Sequence, residues 1–582
     1  MGPSVAEINT MEKLIDAGMN VARLNFSHGT HEDHLKMIEK LKQVRKSKNK
    51  PLAMMLDTKG PEIRIVEIPQ NPLPVAPKMR LEIVKDPKDA KDPQSFLHIH
   101  PEVIVDHLKV GMKVLIDDGY IQGTIIEKHE NKAILEILNL GKIKMKKSLN
   151  IPEIDFHLPI LSAEDIEDLR FGAKNDIDIV ALSFVTTAEQ VLQVRKLLRD
   201  FNQPKILIVS KIESAAGVKN FDSILAVSDG IMIARGDLGV ELPIEKIPKL
   251  QKEFISKCLN VGKPVIVATQ MLESMIQNPR PTRAEASDVA GAIFDAASAI
   301  MLSGETAVGA YPLETVATMR RIGLETECAF DYADYFFKRA NQHYLNVSEA
   351  IACATVHSTY MTQAKMIVVC THSGETARQI SKFRPQAKII AITPNEKTYH
   401  QLSLSWGVIP ILKDVHTMQE AIEIASEFSL KEKICQIGDL IVVTSGALFG
   451  VTGSTNMLIF ESIGKVLVRG ESGSLNLVVT GEIVKINPLE KINRKKVEGK
   501  IALLQVCLIE NVDDLKYAKG VILQSALEDL ESIKVSKILE GMGIPSVIRA
   551  EGAYDIIPDH ETVTIDAGRG IVFKDKLSNF PN

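Results

Sequence analysis

The sequence predicts an α/β protein built on a (β/α)8 TIM barrel that lacks its first strand. Three observations carry that expectation. From residue 20 to about 335, short apolar runs alternate with amphipathic stretches, the pattern of βα units around a parallel sheet. Seven runs stand out: Val21–Phe26, Leu52–Leu56, Ile177–Phe184, Lys205–Val209, Gly230–Ala234, Pro264–Ala268 and Ala299–Leu302. Nearly every run ends in reactive side chains, and this decides between barrel and open sheet. An open doubly wound sheet gathers its functional groups at one switch point, whereas a barrel collects them around its mouth.

The other elements follow in order. Residues 66–149 interrupt the barrel and are rich in Lys, Pro and short β-like runs such as Lys113–Ile116 and Ala133–Ile137, with a hairpin signal at Asp117-Asp118-Gly119. An inserted β domain there makes a lid over the mouth, able to exclude water. The barrel proper is expected over 1–65 and 150–335. From 336 to 470 a fresh α/β pattern begins, with a helix over Val347–Ala364 and strands at Met366–Cys370, Ile389–Thr393 and Leu440–Thr444. A Gly- and Ser-rich connector then opens a last α/β domain, 475–582. Its β runs are Gly499–Ile509, Val521–Leu523, Ser546–Ile548 and Thr562–Ile565, and its helix lies around Glu528–Met542.

Composition narrows the class. The 582 residues are 45% hydrophobic and 25% charged, the balance of an ordinary globular protein. A net charge of −5 supplies no global basic field for nucleic acid or an anionic membrane. No apolar run is long enough to span a bilayer, and the N-terminus lacks the features of a signal peptide. The six cysteines are scattered without paired spacing, which fits reduced thiols in the cytoplasm rather than a zinc site or disulfide framework.

Chemistry concentrates at the strand ends. Lys211 and Glu213 are two apart on one strand, so both side chains point the same way. Asp237 follows the next strand, and two carboxylates without His or Cys are hard oxygen ligands suited to Mg²⁺ or Mn²⁺. Taken alone, the three would equally serve as a structural Lys–Glu pair beside a solvated Asp. Gly236 and Gly239 permit close approach of backbone N–H groups to an anion. Arg23 and Arg64 add positive charge, although single arginines more often form surface ion pairs. Asn25, Ser27, Asp57 and Thr58 suit a monovalent-cation cage or strand-end caps, and spacing alone favours a capping His28 over a base. Thr371 to Thr376, between a strand and a helix, suits a phosphate-binding turn or a simple N-cap.

Five long motifs then carry a resemblance. They are Val21–Gly29 (VARLNFSHG), Leu56–Arg64 (LDTKGPEIR), Ser210–Glu213 (SKIE), Ala234–Gly239 (ARGDLG) and Ala268–Ser274 (ATQMLES). In this order they resemble the pyruvate kinase family over about residues 1–470. The resemblance implies phosphoryl transfer from phosphoenolpyruvate to ADP, giving pyruvate and ATP. It implies that Glu213 and Asp237 bind the divalent ion, Lys211 neutralises the phosphoryl group in flight, and Arg23 holds phosphate. Gly236, Asp237 and Thr269 would hold the substrate, with Thr269 and Ser303 on the proton route to the enolate. Asn25, Ser27, Asp57 and Thr58 would bind K⁺, and Glu62 resembles the acidic residue of K⁺-dependent members. Pro3, Asn25, His28, Arg64 and Lys147 match nucleotide-side positions. Thr371, Ser373, Gly374 and Thr376 match an effector-phosphate loop for a sugar phosphate or AMP, acting through a homotetramer. Glu375 departs from the basic or neutral residue often found there, and a carboxylate repels phosphate.

The last segment resembles the extra domain of some bacterial pyruvate kinases, related to the phosphohistidine domain of phosphoenolpyruvate-utilising enzymes. Gly541-Met542-Gly543-Ile544-Pro545 and Thr564–Val572 carry that likeness. No His occurs from Val521 to Ile548, so there is no carrier imidazole and the expected role is structural or regulatory. The family has a strand immediately before the Gly2-Pro3-Ser4 turn, where this chain begins. The expectation is therefore an upstream start; an open barrel would instead suit a catalytically silent metabolite-binding homologue. A barrel lyase or aldolase is a third reading, which the lid, Lys211 and the cation cage disfavour.

Overall fold

The computed structural model describes residues 1–60, 63–117, 119–152, 161–340, 346–446, 455–472, 475–488, 490–525 and 530–574. The chain forms two compact units. One comprises Met1–Cys353, Val369–Asp414 and Gly450–Thr455; the other comprises Ala354–Val368, Val415–Phe449 and Asn456–Asn582.

The first unit is organised by seven parallel strands: β1 (Val21–Asn25), β2 (Ala53–Asp57), β3 (Ile179–Leu182), β4 (Leu207–Ile212), β5 (Gly230–Ala234), β6 (Val265–Ala268) and β7 (Ala299–Ile300), hydrogen-bonded in chain order. All seven expected strands are present. Every residue of β2, β3, β5 and β6 is buried, because helices cover the outer face while the barrel interior fills the other. Helices His31–Lys48, Ala163–Lys174, Ala188–Asp200 and Arg283–Phe294 each start at a capping box, led by Thr30, Ser162, Thr187 and Thr282. These reciprocal bonds satisfy orphan N–H groups and mark where each loop ends.

Among the described residues β1 and β7 are each paired on one side only, so the barrel is open between them. A cavity of about 460 Å³ lies there, lined by Val21 and Arg23 on one side and Ala299, Ile300 and Met301 on the other. The barrel floor is closed from a later segment. Lys397 Nζ donates to Ile177 O (3.0 Å), and Gln401 Nε2 donates to Asp178 O (2.9 Å) and Lys205 O (2.7 Å). Leu404 joins the inner core beside Met55, Val209, Met232 and Ile266. These acceptors precede β3 and β4, at the end of the barrel opposite the chemistry.

The insertion is a β lid with its own core. Its main sheet includes the antiparallel hairpin Lys113–Ile116 with Ile121–Lys128; Asp118 of the expected turn lies outside the described residues. Further along the same unit, strands Lys388–Thr393 and Val408–Leu412 pair in parallel.

The second unit carries helix Met418–Lys431, strand Leu440–Gly446 and an eight-stranded mixed sheet. Within that sheet Val478–Ile486, Ile501–Leu504, Gly520–Leu523 and Ser546–Ile548 run parallel in sequence order. Helix Leu530–Gly541 packs on one face, giving a separate apolar core on each side of the sheet. No described helix is long and apolar enough to cross a membrane.

Candidate active site

Strands β1, β2 and β4 bring four charged residues into one row, buried except for the half-buried Arg23. Arg23 Nε lies 2.5 Å from Asp57 Oδ2, Lys211 Nζ lies 3.0 Å from Asp57 Oδ1, and the same ammonium lies 3.0 Å from Glu213 Oε1. Asp57 is fully buried, and Glu213 is 2% exposed. Burial pushes the Asp57 carboxyl up, but Arg23 and Lys211 together outweigh it and hold the group below its ordinary value. Burial likewise acts to lower Lys211, and the carboxylates of Asp57 and Glu213 overcome it, so the amine stays charged. A cation–anion–cation–anion row compensates its own charge, which is how such groups remain ionised away from water.

Local structure explains each placement. The parallel register sets Asn25 beside Asp57, so the cage candidates Asn25, Ser27, Asp57 and Thr58 share two adjacent strand ends. Asn25 Oδ1 accepts from the Ser27 N–H at 3.2 Å, and Thr58 Oγ1 accepts from the Ser183 N–H at 3.0 Å. The expected i, i+2 alignment of Lys211 and Glu213 holds, as their 3.0 Å contact requires. Asp237 lies beyond the end of β5, in the first turn of helix Arg235–Glu241. Gly236 N–H donates to Thr269 Oγ1 at 2.8 Å, which puts two of the substrate candidates in contact. Thr269 has a left-handed backbone (φ 67°), and its hydroxyl donates to Ala268 O at 2.6 Å. Ser303 follows β7, with its N–H on Glu305 Oε2 at 2.7 Å.

Of the nucleotide-side candidates, Asn25 belongs to the strand ends just described, and the other four lie in the same unit. Pro3 opens a short 3-10 turn, and His28 is an exposed side chain whose carbonyl accepts from His34 Nε2 at 2.9 Å. Arg64 begins a lid strand and donates to Lys146 O at 2.8 Å, while Lys147 pairs with Asp117 at 2.7 Å. Glu62 lies outside the described residues. In the later loop Thr371 Oγ1 accepts from Gly374 N–H at 3.0 Å, and the Thr376 hydroxyl meets that of Thr455 at 2.8 Å. Arg378 Nη1 donates to Ser373 O at 3.2 Å, putting a guanidinium beside the loop that spacing did not single out.

Four further residues belong to the site and were not assigned roles from sequence. Ser183 touches both Lys211 and Asp57. Phe184 turns into the left-handed region (φ 52°) and aims its N–H at Glu213 Oε2, 2.6 Å away. Gly60 (φ 72°) makes room for that turn, since a Cβ there would lie 2.9 Å from both Phe184 Cδ2 and Ser183 Cβ. Arg235 binds Asp288 and donates to Thr269 O at 2.9 Å, fixing the loop after β6. A Ser before a bulky residue at a strand end is too common a pattern to have signalled this.

Among the described residues no three His, Cys, Asp or Glu side chains cluster to hold a metal. Glu213 and Asp237 together supply two hard carboxylates, a donor set that suits a divalent ion leaving positions for substrate oxygens. The all-oxygen set of Asn25, Ser27, Asp57 and Thr58 suits a monovalent cation.

The family model "Pyruvate kinase, barrel domain" matches residues 1–316, and "Pyruvate kinase, alpha/beta domain" matches residues 349–459. A pyruvate kinase of Sporosarcina psychrophila is 38% identical over 99% of this chain and 98% of its own length. That of Geobacillus stearothermophilus has the same identity and coverage, and that of Staphylococcus epidermidis is 39% identical over 99% of this chain and 97% of its own. These likenesses extend through the final segment as well as the barrel. With a buried Lys–carboxylate row at the strand ends and two family models in sequence, the chain belongs to the pyruvate kinase family.

Proposed function

We propose that this protein is an active pyruvate kinase, a phosphotransferase that moves the phosphoryl group of phosphoenolpyruvate to ADP and yields pyruvate and ATP. The observation that carries the reading is the Arg23–Asp57–Lys211–Glu213 row, a charge-compensated set supplied by three strands, β1, β2 and β4. A silent homologue has no use for a buried ammonium held among carboxylates at a barrel mouth.

Phosphoryl transfer needs positioning and charge stabilisation more than covalent help. Lys211 supplies a fixed positive charge to the phosphoryl oxygens, and Arg23 holds them from β1. Gly236, Asp237 and Thr269 hold the substrate carboxylate end. Thr269 and Ser303 carry the proton to the enolate after transfer. Pro3, Asn25, His28, Arg64 and Lys147 face the nucleotide. Glu213 and Asp237 would hold Mg²⁺ or Mn²⁺, and Asn25, Ser27, Asp57 and Thr58 would hold K⁺. When bound, these cations neutralise phosphate charge that the side chains alone leave uncompensated.

The reading extends to four domains: the barrel (1–65 and 150–335), the lid (66–149), a regulatory α/β domain (336–470) and a phosphoenolpyruvate-utiliser-like domain without a carrier His (475–582). Thr371, Ser373, Gly374 and Thr376 would receive a sugar phosphate or AMP, in a cytoplasmic homotetramer of the final glycolytic step. The test is formation of pyruvate and ATP from phosphoenolpyruvate and ADP with Mg²⁺, with and without K⁺. Absence of turnover by well-folded protein would sink the proposal.

A further inference from the structure

An ammonium has three N–H donors, and in Lys211 each has an acceptor: Asp57 Oδ1 at 3.0 Å, Glu213 Oε1 at 3.0 Å and Ser183 Oγ at 2.8 Å. The third is the neutral one. Ser183 is itself held from several sides. Its N–H donates to Thr58 Oγ1 (3.0 Å), and its hydroxyl lies 2.6 Å from Thr58 O and 3.1 Å from Asp57 Oδ1. One hydroxyl proton cannot serve both acceptors fully, and the 2.6 Å carbonyl contact is the shorter. With its proton directed there, the Oγ lone pairs face the lysine. The residue is 5% exposed, and the left-handed Phe184 that follows ties the same loop to Glu213.

We propose that Ser183 is a positioning residue for the phosphoryl transfer, acting through Lys211; the inference rests on the kinase reading above. To meet a phosphoryl group, Lys211 must exchange one of its three acceptors for a substrate oxygen. Glu213 is the carboxylate assigned to the divalent ion, which leaves Asp57 and Ser183 as the two fixed rests of the ammonium. Two rests define the direction of the remaining N–H; one rest leaves the side chain free to swing about it. Asp57 alone would also hold Lys211 by an ion pair, and a carboxylate competes with the substrate for positive charge. A neutral hydroxyl orients the lysine without drawing off its charge. Positioning of this kind affects the transition state more than ground-state binding.

The experiment compares the parent protein with Ser183→Ala and with Ser183→Cys, which nearly keeps the volume but replaces the oxygen by a poor acceptor. Thermal melts establish that each variant is folded. For both, kcat is expected to fall about tenfold or more while KM for phosphoenolpyruvate and the K⁺ concentration at half-activation stay within about twofold. The K⁺ measurement separates action through Lys211 from damage to the Asp57 and Thr58 cage. A second readout needs no ligand: acylation of Lys211 by an amine reagent, followed by mass spectrometry of the ligand-free protein, is faster in both variants. A kcat within about twofold of the parent's, a loss that excess K⁺ restores, or an unchanged labelling rate overturns the proposal. An inactive parent instead refutes the kinase reading, and the labelling comparison still tests the contact.

Discussion

His400 Nδ1 accepts a hydrogen bond from the backbone N–H of Leu52 across 3.2 Å, tying a helix 348 residues later to the start of the second barrel strand. The imidazole must be unprotonated at that nitrogen to accept. Burial and the nearby Arg45 charge depress its pKa from 6.5 to about 3. Close by, burial raises the Asp178 carboxyl from 3.8 to about 6 despite its bonds to Arg45 and Met54 N–H.

These two shifts have opposite consequences. As pH falls below 6.5 the unfolded chain takes up a proton at His400 that the folded state refuses, so stability is lost progressively down to about pH 3. Between about pH 6 and 3.8 the folded state binds a proton at Asp178 that the unfolded chain does not, so stability rises as pH falls. Melting curves of the parent and His400→Gln separate them: the difference in Tm, parent minus variant, shrinks steadily from pH 7 to pH 4. A difference independent of pH would contradict this account.

Lys211→Met removes the charge while nearly keeping the length of the side chain. Loss of a preorganised charge at the transferring group lowers kcat about a hundredfold or more. The coupled assay of pyruvate formation measures this, and near-normal turnover would refute the assigned role.

Asp57 neutralises two cations at once. Asp57→Asn leaves Arg23 and Lys211 facing each other across an uncharged amide, and breaking a buried pair by removing one partner costs about 3–5 kcal/mol. Urea denaturation reads that loss directly. The same variant is expected to need more K⁺ for half-activation, which binds the stability and cation arguments to one residue.

Glu213→Gln keeps an acceptor for the Phe184 N–H while removing a charge. A higher Mg²⁺ concentration for half-activation is expected, with Lys211 still held by Asp57 and Ser183. An unaltered Mg²⁺ titration would move the ion elsewhere.

Leu404→Ala opens a cavity under the inner barrel core. The leucine is 2% exposed, and a buried Leu→Ala change costs about 2–5 kcal/mol. Because its neighbours Met55 and Val209 lie on the strands that carry Asp57 and Lys211, activity measured well below the melting temperature tests whether floor packing also sets the geometry of the mouth.

What could be read in the sequence was local. Apolar runs marked all seven strands, and two-residue spacing put Lys211 and Glu213 on one face, because strand periodicity is a property of neighbouring residues. Ser183 was legible only as a polar residue ending its run, and its contact with Lys211 had no such signal. Its importance depends on β3 lying between β2 and β4, a relation of strand order that one run cannot encode. Phe184 was hidden for a similar reason, since its left-handed turn is explained only by Gly60 and Glu213 on other segments. The contact between Gly236 and Thr269, 33 positions apart, had no local signal either. The floor contacts of Lys397, His400 and Gln401 were equally silent, joining residues more than 190 positions apart.

Those floor contacts bear on how the molecule can be cut. A fragment that stops before residue 340 keeps every strand of the barrel but loses Leu404, Gln401 and His400, and so exposes Met232, Ile266 and the Asp178 and Lys205 carbonyls at its base. The barrel is thus no interchangeable cassette: anyone transplanting it as a scaffold must bring residues 396–404 along, or redesign the lower opening to close without them.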